Sequence, residues 1–355
     1  MDFMVSRILV LTISAAFFGS TNVFSGAPQS FVSWSDIRME EHYANSNLID
    51  GRRSRVIRVS KDGTGNSTTI QGAVDMVPLG NKERTKIYIS QGVYRERVVV
   101  PSTKPYVSFI GHDSTETVIS WNLRASDQDS DGRPIGTLAS ASVSIEADYF
   151  CATGITFENT AAPGAEAGAS GMQAVALRLA GDKTLLYRCR VLGSQDTLFD
   201  QIGRHYFYEC YIQGSIDFIF GSARSLYQAC NLHAVAASYG AIAASQRTSP
   251  LDNSGFSFKE CRLYGSGMLY LGRAWGRYAR VVYSYCKLED IVLPQGWNDW
   301  GDPSRQSTVW FGEFNCSGRG ANRSNRVPWA RSLTYEEAKP FLDKYYVDGD
   351  QWLRL

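Results

Sequence analysis

Thr184-Leu-Leu-Tyr-Arg-Cys-Arg-Val-Leu192, Arg204-His-Tyr-Phe-Tyr-Glu-Cys-Tyr-Ile212 and Arg224-Ser-Leu-Tyr-Gln-Ala-Cys-Asn-Leu232 are one unit written three times. In each copy an apolar or aromatic residue stands three places before the cysteine and an aliphatic one two places after it. The same register returns around Cys261 (Phe258, Leu263) and Cys286 (Tyr283, Leu288). From Cys189 to Cys286 the five cysteines are spaced by 21, 20, 31 and 25 residues. A recurrence of about 20 to 25 residues marks a solenoid, whose turns bury their apolar sides against neighbouring turns. The longer gaps are turns carrying loop insertions.

Leucine-rich repeats share this period, but their leucine-asparagine pattern is missing. Short runs rich in Val, Ile, Tyr and Phe alternate instead with Gly, Ser, Asp and Asn, which is the punctuation of strands and corners. A large antiparallel sandwich would give similar strands without the common register. The reading is therefore all-β: a right-handed parallel β-helix with short terminal helices. Thr68-Thr-Ile-Gln71 has the form of a capping box opening a helix over 69–76, which stops at Pro78 and covers the first turn and its sheet edge. Thr334-Tyr-Glu-Glu337 repeats the form before a C-terminal helix disturbed by Pro340. The Ala- and Gly-rich stretch 161–171 reads as a loop.

Outward from this core, Arg7 precedes an apolar run at 8–18, too short to span a bilayer. Residues 1–25 are expected to be a signal peptide, 26–55 a leader strapped onto the surface, and 56–355 the β-helix catalytic domain. Sequons at Asn66, Asn315 and Asn322 agree with a secreted, extracellular glycoprotein. With 36 basic and 35 acidic residues the formal charge is +1, which offers no footprint for nucleic acid, and no later segment reads as a membrane span. Seven cysteines and four histidines, without a C-x-x-C pair, speak against zinc. The cysteines read as core filling with one or two disulfides.

The repeat makes a geometric prediction. Gln173 and Gln195 are 22 residues apart, and Asp196 and Asp217 are 21 apart. With turns of that length, two glutamines stack and two aspartates stack beside them, about 4.8 Å apart along the axis. Carboxylates held so close cannot both ionise freely, so one pKa rises and the other stays low. Solvated corner residues would show the same spacing.

Five motifs occur in order: Gly92-Val-Tyr-Arg-Glu96, Gln173-Ala-Val-Ala-Leu-Arg178, Gly193-Ser-Gln-Asp-Thr-Leu198, Asp217-Phe-Ile-Phe-Gly221 and Leu271-Gly-Arg-Ala-Trp275. With Gly154-Ile-Thr-Phe-Glu-Asn-Thr160, they resemble the plant-type pectinesterases (pectin methylesterases), without the inhibitor-like N-terminal region of many members. The resemblance implies hydrolysis of the methyl esters of homogalacturonan in the cell wall. It implies Asp217 as nucleophile, Asp196 as general acid and then base, and Gln173 and Gln195 as oxyanion-stabilising amides. Thr137, Gln173, Arg273 and Trp275 resemble the substrate-binding residues, with Arg273 also holding the nucleophile. No cofactor or metal is implied; the expected partners are methyl-esterified homogalacturonan and a proteinaceous pectinesterase inhibitor, acting on a monomer. In the last motif Ala274 replaces the usual proline, which suggests a looser backbone beside Trp275.

Other readings remain. A serine hydrolase needs a Gly-x-Ser-x-Gly elbow, which is absent. A lyase on the same polymer would use an acidic calcium cluster with a basic residue, and Asp127, Asp129 and Asp131 form a loose one that reads rather as a solvated loop. A catalytically dead wall-binding β-helix would have lost one of the two aspartates, and both are present.

Overall fold

The computed structural model describes residues 31–38, 48–49, 52–162 and 170–355; the apolar run at 8–18 and the centre of the 161–171 loop lie outside the described residues. The repeat becomes a stack of rungs. Leu186 pairs with Phe207, Phe207 with Tyr227, Tyr227 with Phe258 and Phe258 with Tyr283, all in parallel. Ring centroids in this column are 4.3, 4.7 and 4.6 Å apart for the successive aromatic pairs. That is close to the inter-strand spacing, so the rings stack face to face as the strands pair. The aliphatic residues form a second column, Val191, Ile212, Leu232, Leu263 and Leu288.

Between the columns the chain turns a corner the same way each time. The residue just before the cysteine has a positive φ: 50° at Arg188, 53° at Glu209 and Ala229, 55° at Glu260 and Tyr285. One left-handed residue redirects the strand, and the cysteine that follows is small enough to fill the inside of the bend. From Cys210 onward its thiol donates to a carbonyl of the preceding turn, as from Cys210 to Leu186 (3.4 Å) and from Cys261 to Tyr227 (3.3 Å). Cys316 fills a sixth corner, after Asn315 (φ 48°), and bonds the carbonyl of Tyr283. The sequence hid it because Glu313 and Gly318 hold the flanking places. All seven cysteines are free thiols, so the expected disulfides are not present. Six serve as corner fillers, and Cys151 lies on the first sheet face beside Leu185.

Each turn contributes to three faces. The first carries strands from Arg52–Val59 to Trp310–Phe314, and the second begins with Gly92–Arg95. The third runs through Val98–Val100, Val143–Ile145, Leu177–Leu179, Leu198–Asp200 and Ile219–Gly221. The long strands Asn231–Ser245 and Arg262–Arg273 pass through both of the latter faces.

The helix Ile70–Asp75 closes one end, burying Ile70, Ala73 and Val74. Its cap is Thr69, one residue later than the sequence pattern suggested. Gln71 is not part of a capping box; its amide binds Asp75 and Val99. Glu96 takes that place, accepting from the N–H groups of Ile70 (2.8 Å) and Gln71 (2.9 Å), two of the donors a helix start leaves unpaired. The Gly92–Glu96 motif thus has a structural task. Thr334 and Glu337 do form a reciprocal box on Tyr335–Ala338, and Pro340 shifts the chain into the 3-10 turn Lys339–Phe341. Helix is not confined to the ends, because Gly136–Ala139 forms a single turn in mid-chain. Val32–Ser33 pairs in parallel with Leu353–Arg354, and Trp34 meets Tyr187 edge-on at 5.0 Å. The two ends of the described chain therefore clasp over the first face, where Phe341, Val347 and Trp352 pack on Leu185, Leu226 and Val282.

Candidate active site

Asp196 and Asp217 stand just before the third-face strands Leu198–Asp200 and Ile219–Gly221, both at positive φ (58° and 46°). Aspartate tolerates this conformation better than branched residues do. Leu198 is in register with Ile219, and the Asp196 N–H donates to the Ile216 carbonyl at 3.0 Å. The two aspartates thus occupy the same place on successive turns, one inter-strand step apart.

Arg273 ends the long strand Arg262–Arg273 and reaches back to Asp217. Its Nε donates to Oδ1 at 2.9 Å and its Nη2 to Oδ2, a two-pronged pairing that fixes the carboxylate plane. Burial pushes the Asp217 carboxyl above its ordinary value, and Arg273 pulls it back only in part. The expectation of a pKa left low is corrected here: dehydration of a side chain in a residue only 6% exposed outweighs the guanidinium. Asp196 is pushed well above the usual carboxylate range, first by burial and then by the charge of Asp217, against a smaller opposing pull from Arg273. It keeps some access to solvent, yet no hydrogen bond favours its charged form. The pair is graded: burial raises both carboxyls, and Asp196, without the two-pronged Arg273 contact, is raised further than Asp217.

Gln195 precedes Asp196, and its carbonyl accepts from Ala174 N at 3.1 Å, which seats Gln173 on the preceding turn. The strand register there is 21 residues (Leu177 with Leu198), so glutamines 22 apart lie one residue out of strict stacking. Both side chains are half-buried. Thr137 lies in the helical turn Gly136–Ala139, tied to the Gln173 segment through Ala125, which donates to the Gln173 carbonyl (2.8 Å) and accepts from Gly136 (3.0 Å). Buried Asn159, in the Gly154–Thr160 motif, strengthens that link. Its amide donates to carbonyls of Leu123, Ser140 and Val175 at 2.8, 3.2 and 3.0 Å.

An outward-facing column crosses this site: Arg178, Phe199, Phe220, Ala244, Arg273 and Asn298. Phe199 and Phe220 stack at 4.5 Å, Trp275 lies 6.1 Å from Phe220, and Trp300 lies 6.5 Å from Trp275. Trp300 also covers the Arg273 guanidinium at 4.0 Å, a cation–π contact. Sequence reasoning missed Phe199, Phe220 and Trp300. The 21-residue period, applied beyond the cysteines, pairs the two phenylalanines; Trp300 follows an irregular turn and carried no such signal. The loose acidic run is a turn, with Asp129 accepting from the N–H groups of Asp131 and Arg133.

A graded carboxyl pair, one guanidinium and an aromatic floor suit acyl transfer from a sugar ester. The pectinesterase family model matches residues 56–350. The chain belongs to the pectinesterase family. As a pectinesterase it is a carboxylic ester hydrolase acting as a pectin methylesterase. It is 55% identical to pectinesterase QRT1 of Arabidopsis thaliana, over 92% of this chain and 91% of that relative. Putative pectinesterase 11 of the same plant is 43% identical over 86% and 83%. Among solved structures, pectin methylesterase from carrot superposes with a TM-score of 0.77 at 33% identity, covering 83% of this chain and 94% of that one. The Aspergillus niger pectin methylesterase follows with a TM-score of 0.71 at 27% identity, covering 84% and 96%.

Proposed function

We propose that this pectinesterase de-esterifies homogalacturonan through an aspartyl anhydride, with Asp217 as nucleophile and Asp196 as acid and then base. An oxygen of Asp217 adds to the ester carbonyl carbon, and the carbonyl electron pair moves onto its oxygen. The amides of Gln173 and Gln195 stabilise that oxyanion, an effect worth roughly 3 to 4 kcal/mol per donor. Collapse breaks the bond to methoxide, which takes the Asp196 proton and leaves as methanol. The Asp196 carboxylate then removes a proton from water, whose oxygen adds to the anhydride carbon. Asp217 departs as a carboxylate and the galacturonate carboxyl is freed. Trp275, Thr137 and the stacked phenylalanines receive the sugar rings.

The observation that carries this reading is the paired Arg273–Asp217 fork one turn from Asp196, whose carboxyl is pushed well above the usual carboxylate range by burial and by Asp217. The scene of action is the cell wall after secretion; the apolar run at 8–18 and the exposed sequon asparagines 66, 315 and 322 support it. Methanol release from methyl-esterified pectin tests the chemistry: the wild type is active and Asp217→Asn is not. A wild type that binds pectin without releasing methanol makes this a binding module, and new reducing ends or unsaturated products point to a hydrolase or lyase.

A further inference from the structure

On the second face Val191, Ile212, Leu232, Leu263 and Leu288 point inward, so the residues on either side of them point out. The places before them are Arg190, Tyr211, Asn231, Arg262 and Lys287, in register on successive turns. The places after them include His233 and Tyr264, which pair side by side. These side chains touch one another along the stack. Arg190 lies over the Tyr211 ring at 4.8 Å, and the Tyr211 hydroxyl is 2.6 Å from His233 Nδ1. The His233 ring lies 5.0 Å from that of Tyr264, and Arg262 covers Tyr264 at 4.9 Å. The result is a strip of three tilted rings with a guanidinium over the first and the last. The rings are half-buried, and Arg262 and Lys287 are exposed.

Cations outnumber carboxylates along this strip. The column from Arg190 to Lys287 holds three basic residues and no acidic one. A single carboxylate, Glu289, answers both Arg262 (3.2 Å) and Lys287 (3.5 Å). Among the described residues Arg190 makes no ion pair, and its Nε is shut off from water without a hydrogen-bond partner. Asp113 feels the charge of Arg190, but its Oδ1 accepts from the N–H and the hydroxyl of Thr115. Glu158, in the neighbouring column, accepts from Ser120.

We propose that this strip is a second binding site for the polymer, taking a de-esterified, anionic stretch of galacturonan outside the corner of the two aspartates. The inference rests on the esterase reading above for the identity of the polymer. Rings offer flat faces to the C–H sides of sugars, while Arg190, Arg262 and Lys287 meet the carboxylates. Five turns give the strip a length of about 19 Å, room for several sugar units. Each ester hydrolysed leaves one more carboxylate on the chain, so the product gains the charge that the strip attracts. The strand Tyr211–Gly214 leads directly into the Asp217 corner. A product stretch held on the second face therefore keeps the enzyme beside esters not yet cleaved.

The test compares the wild type with the double variant Arg190→Gln/Arg262→Gln and with Tyr264→Ala, each verified as folded by its melting temperature. Two quantities are read: affinity for fully de-esterified polygalacturonate, by affinity electrophoresis, and methanol release from a short esterified oligogalacturonide. We expect the double variant to lose about five- to tenfold in affinity for polygalacturonate, and Tyr264→Ala to weaken it as well. Both should keep the wild-type kcat/KM on the short ester. If the double variant does not fold, Arg262→Gln alone, at an exposed side chain, should lose about threefold. Unchanged polygalacturonate affinity in a folded charge variant overturns the inference. So does an equal loss of affinity and of short-ester kcat/KM, which places the residues' effect in the cleft, and so does equally tight binding of an uncharged galactan. A wild type that binds polygalacturonate through these residues but releases no methanol sinks the esterase reading instead.

Discussion

Replacing Asp196 by asparagine should abolish turnover and at the same time stabilise the protein. The two carboxyl groups sit one inter-strand step apart, about 4.8 Å. Two unit charges at that distance repel by about 3.5 kcal/mol at an effective dielectric of about 20. Arg273 and the partial access of Asp196 to solvent reduce this, leaving roughly 2 kcal/mol of net strain when both are ionised. The folded pKa of Asp196 lies above its unfolded value, so the native state holds the proton longer than the unfolded chain does. Stability therefore falls as pH rises from the ordinary carboxylate range through the folded pKa. Asparagine cannot ionise and escapes this loss. Melting curves of wild type and Asp196→Asn at pH 4 and pH 8 measure it. The variant should match the wild type at pH 4 and melt roughly 3 to 5 °C higher at pH 8. A gap that is the same at both pH values, or a variant that melts lower at pH 8, refutes the idea that Asp196 carries uncompensated charge.

Two further substitutions probe the scaffold. His205 and Asp200 are fully buried, with His205 Nδ1 on Asp200 at 2.5 Å, Nε2 on the Gly181 carbonyl at 2.8 Å and Tyr227 donating to Asp200 at 2.6 Å. Burial depresses the imidazole pKa, but Asp200 and the Gly181 carbonyl together raise it above the usual value. The pair's contribution is thus complete below the unfolded histidine value and fades as pH climbs through the folded one. His205→Gln should cost roughly 3 to 5 kcal/mol in urea unfolding at pH 5 and less at pH 9; a cost that grows with pH contradicts the charged imidazole. Glu313, buried at the far end of the aromatic column, accepts from Arg323 (2.7 Å), Arg326 (2.9 and 3.1 Å) and Trp297 (3.3 Å). Glu313→Gln leaves two arginines without their counter-charge, so we expect a loss of roughly 3 to 5 kcal/mol in urea unfolding at pH 7; a loss under 1 kcal/mol contradicts it.

The fold was legible because a solenoid repeats its packing instructions. The places three before and two after the five cysteines from Cys189 to Cys286 are the two inward columns, and each of these cysteines is the corner between them. What stayed hidden broke the period. Glu313 replaces an aromatic in the column where the stack runs out: its next partner is Ser332 of the two-residue strand Arg331–Ser332, and its carboxylate meets Arg323 and Arg326 instead of another ring. The disulfide expectation failed because cysteine count reports compartment, whereas the corner asks only for a small residue with a donor. Glu96 was invisible as a helix cap because it lies 26 residues from the N–H it serves. The stacking of Asp196 and Asp217 was legible in their spacing and their roles were suggested only by the family resemblance, but the direction of Asp217's shift required its burial, which the sequence does not contain.

A stacked repeat gives successive turns nearly the same surroundings, whereas the proposed reaction needs two aspartates that differ. The difference comes from Arg273, which belongs neither to the turn of Asp217 nor to the next one. In the outward column it is separated from Phe220 by a single residue, Ala244. Only a methyl group stands there, and the flanking inward places, Ala243 and Gly272, are equally small. That gap lets the guanidinium fold back toward the corner of the two aspartates and meet Asp217, the nearer of them, with both prongs. A larger side chain at 244 would occupy the path, and the two carboxyls would then compete for one proton on nearly equal terms. By this argument the alanine between Phe220 and Arg273 matters to the proposed chemistry as a space, and the proposed acid and nucleophile are told apart by what the intervening turn leaves out.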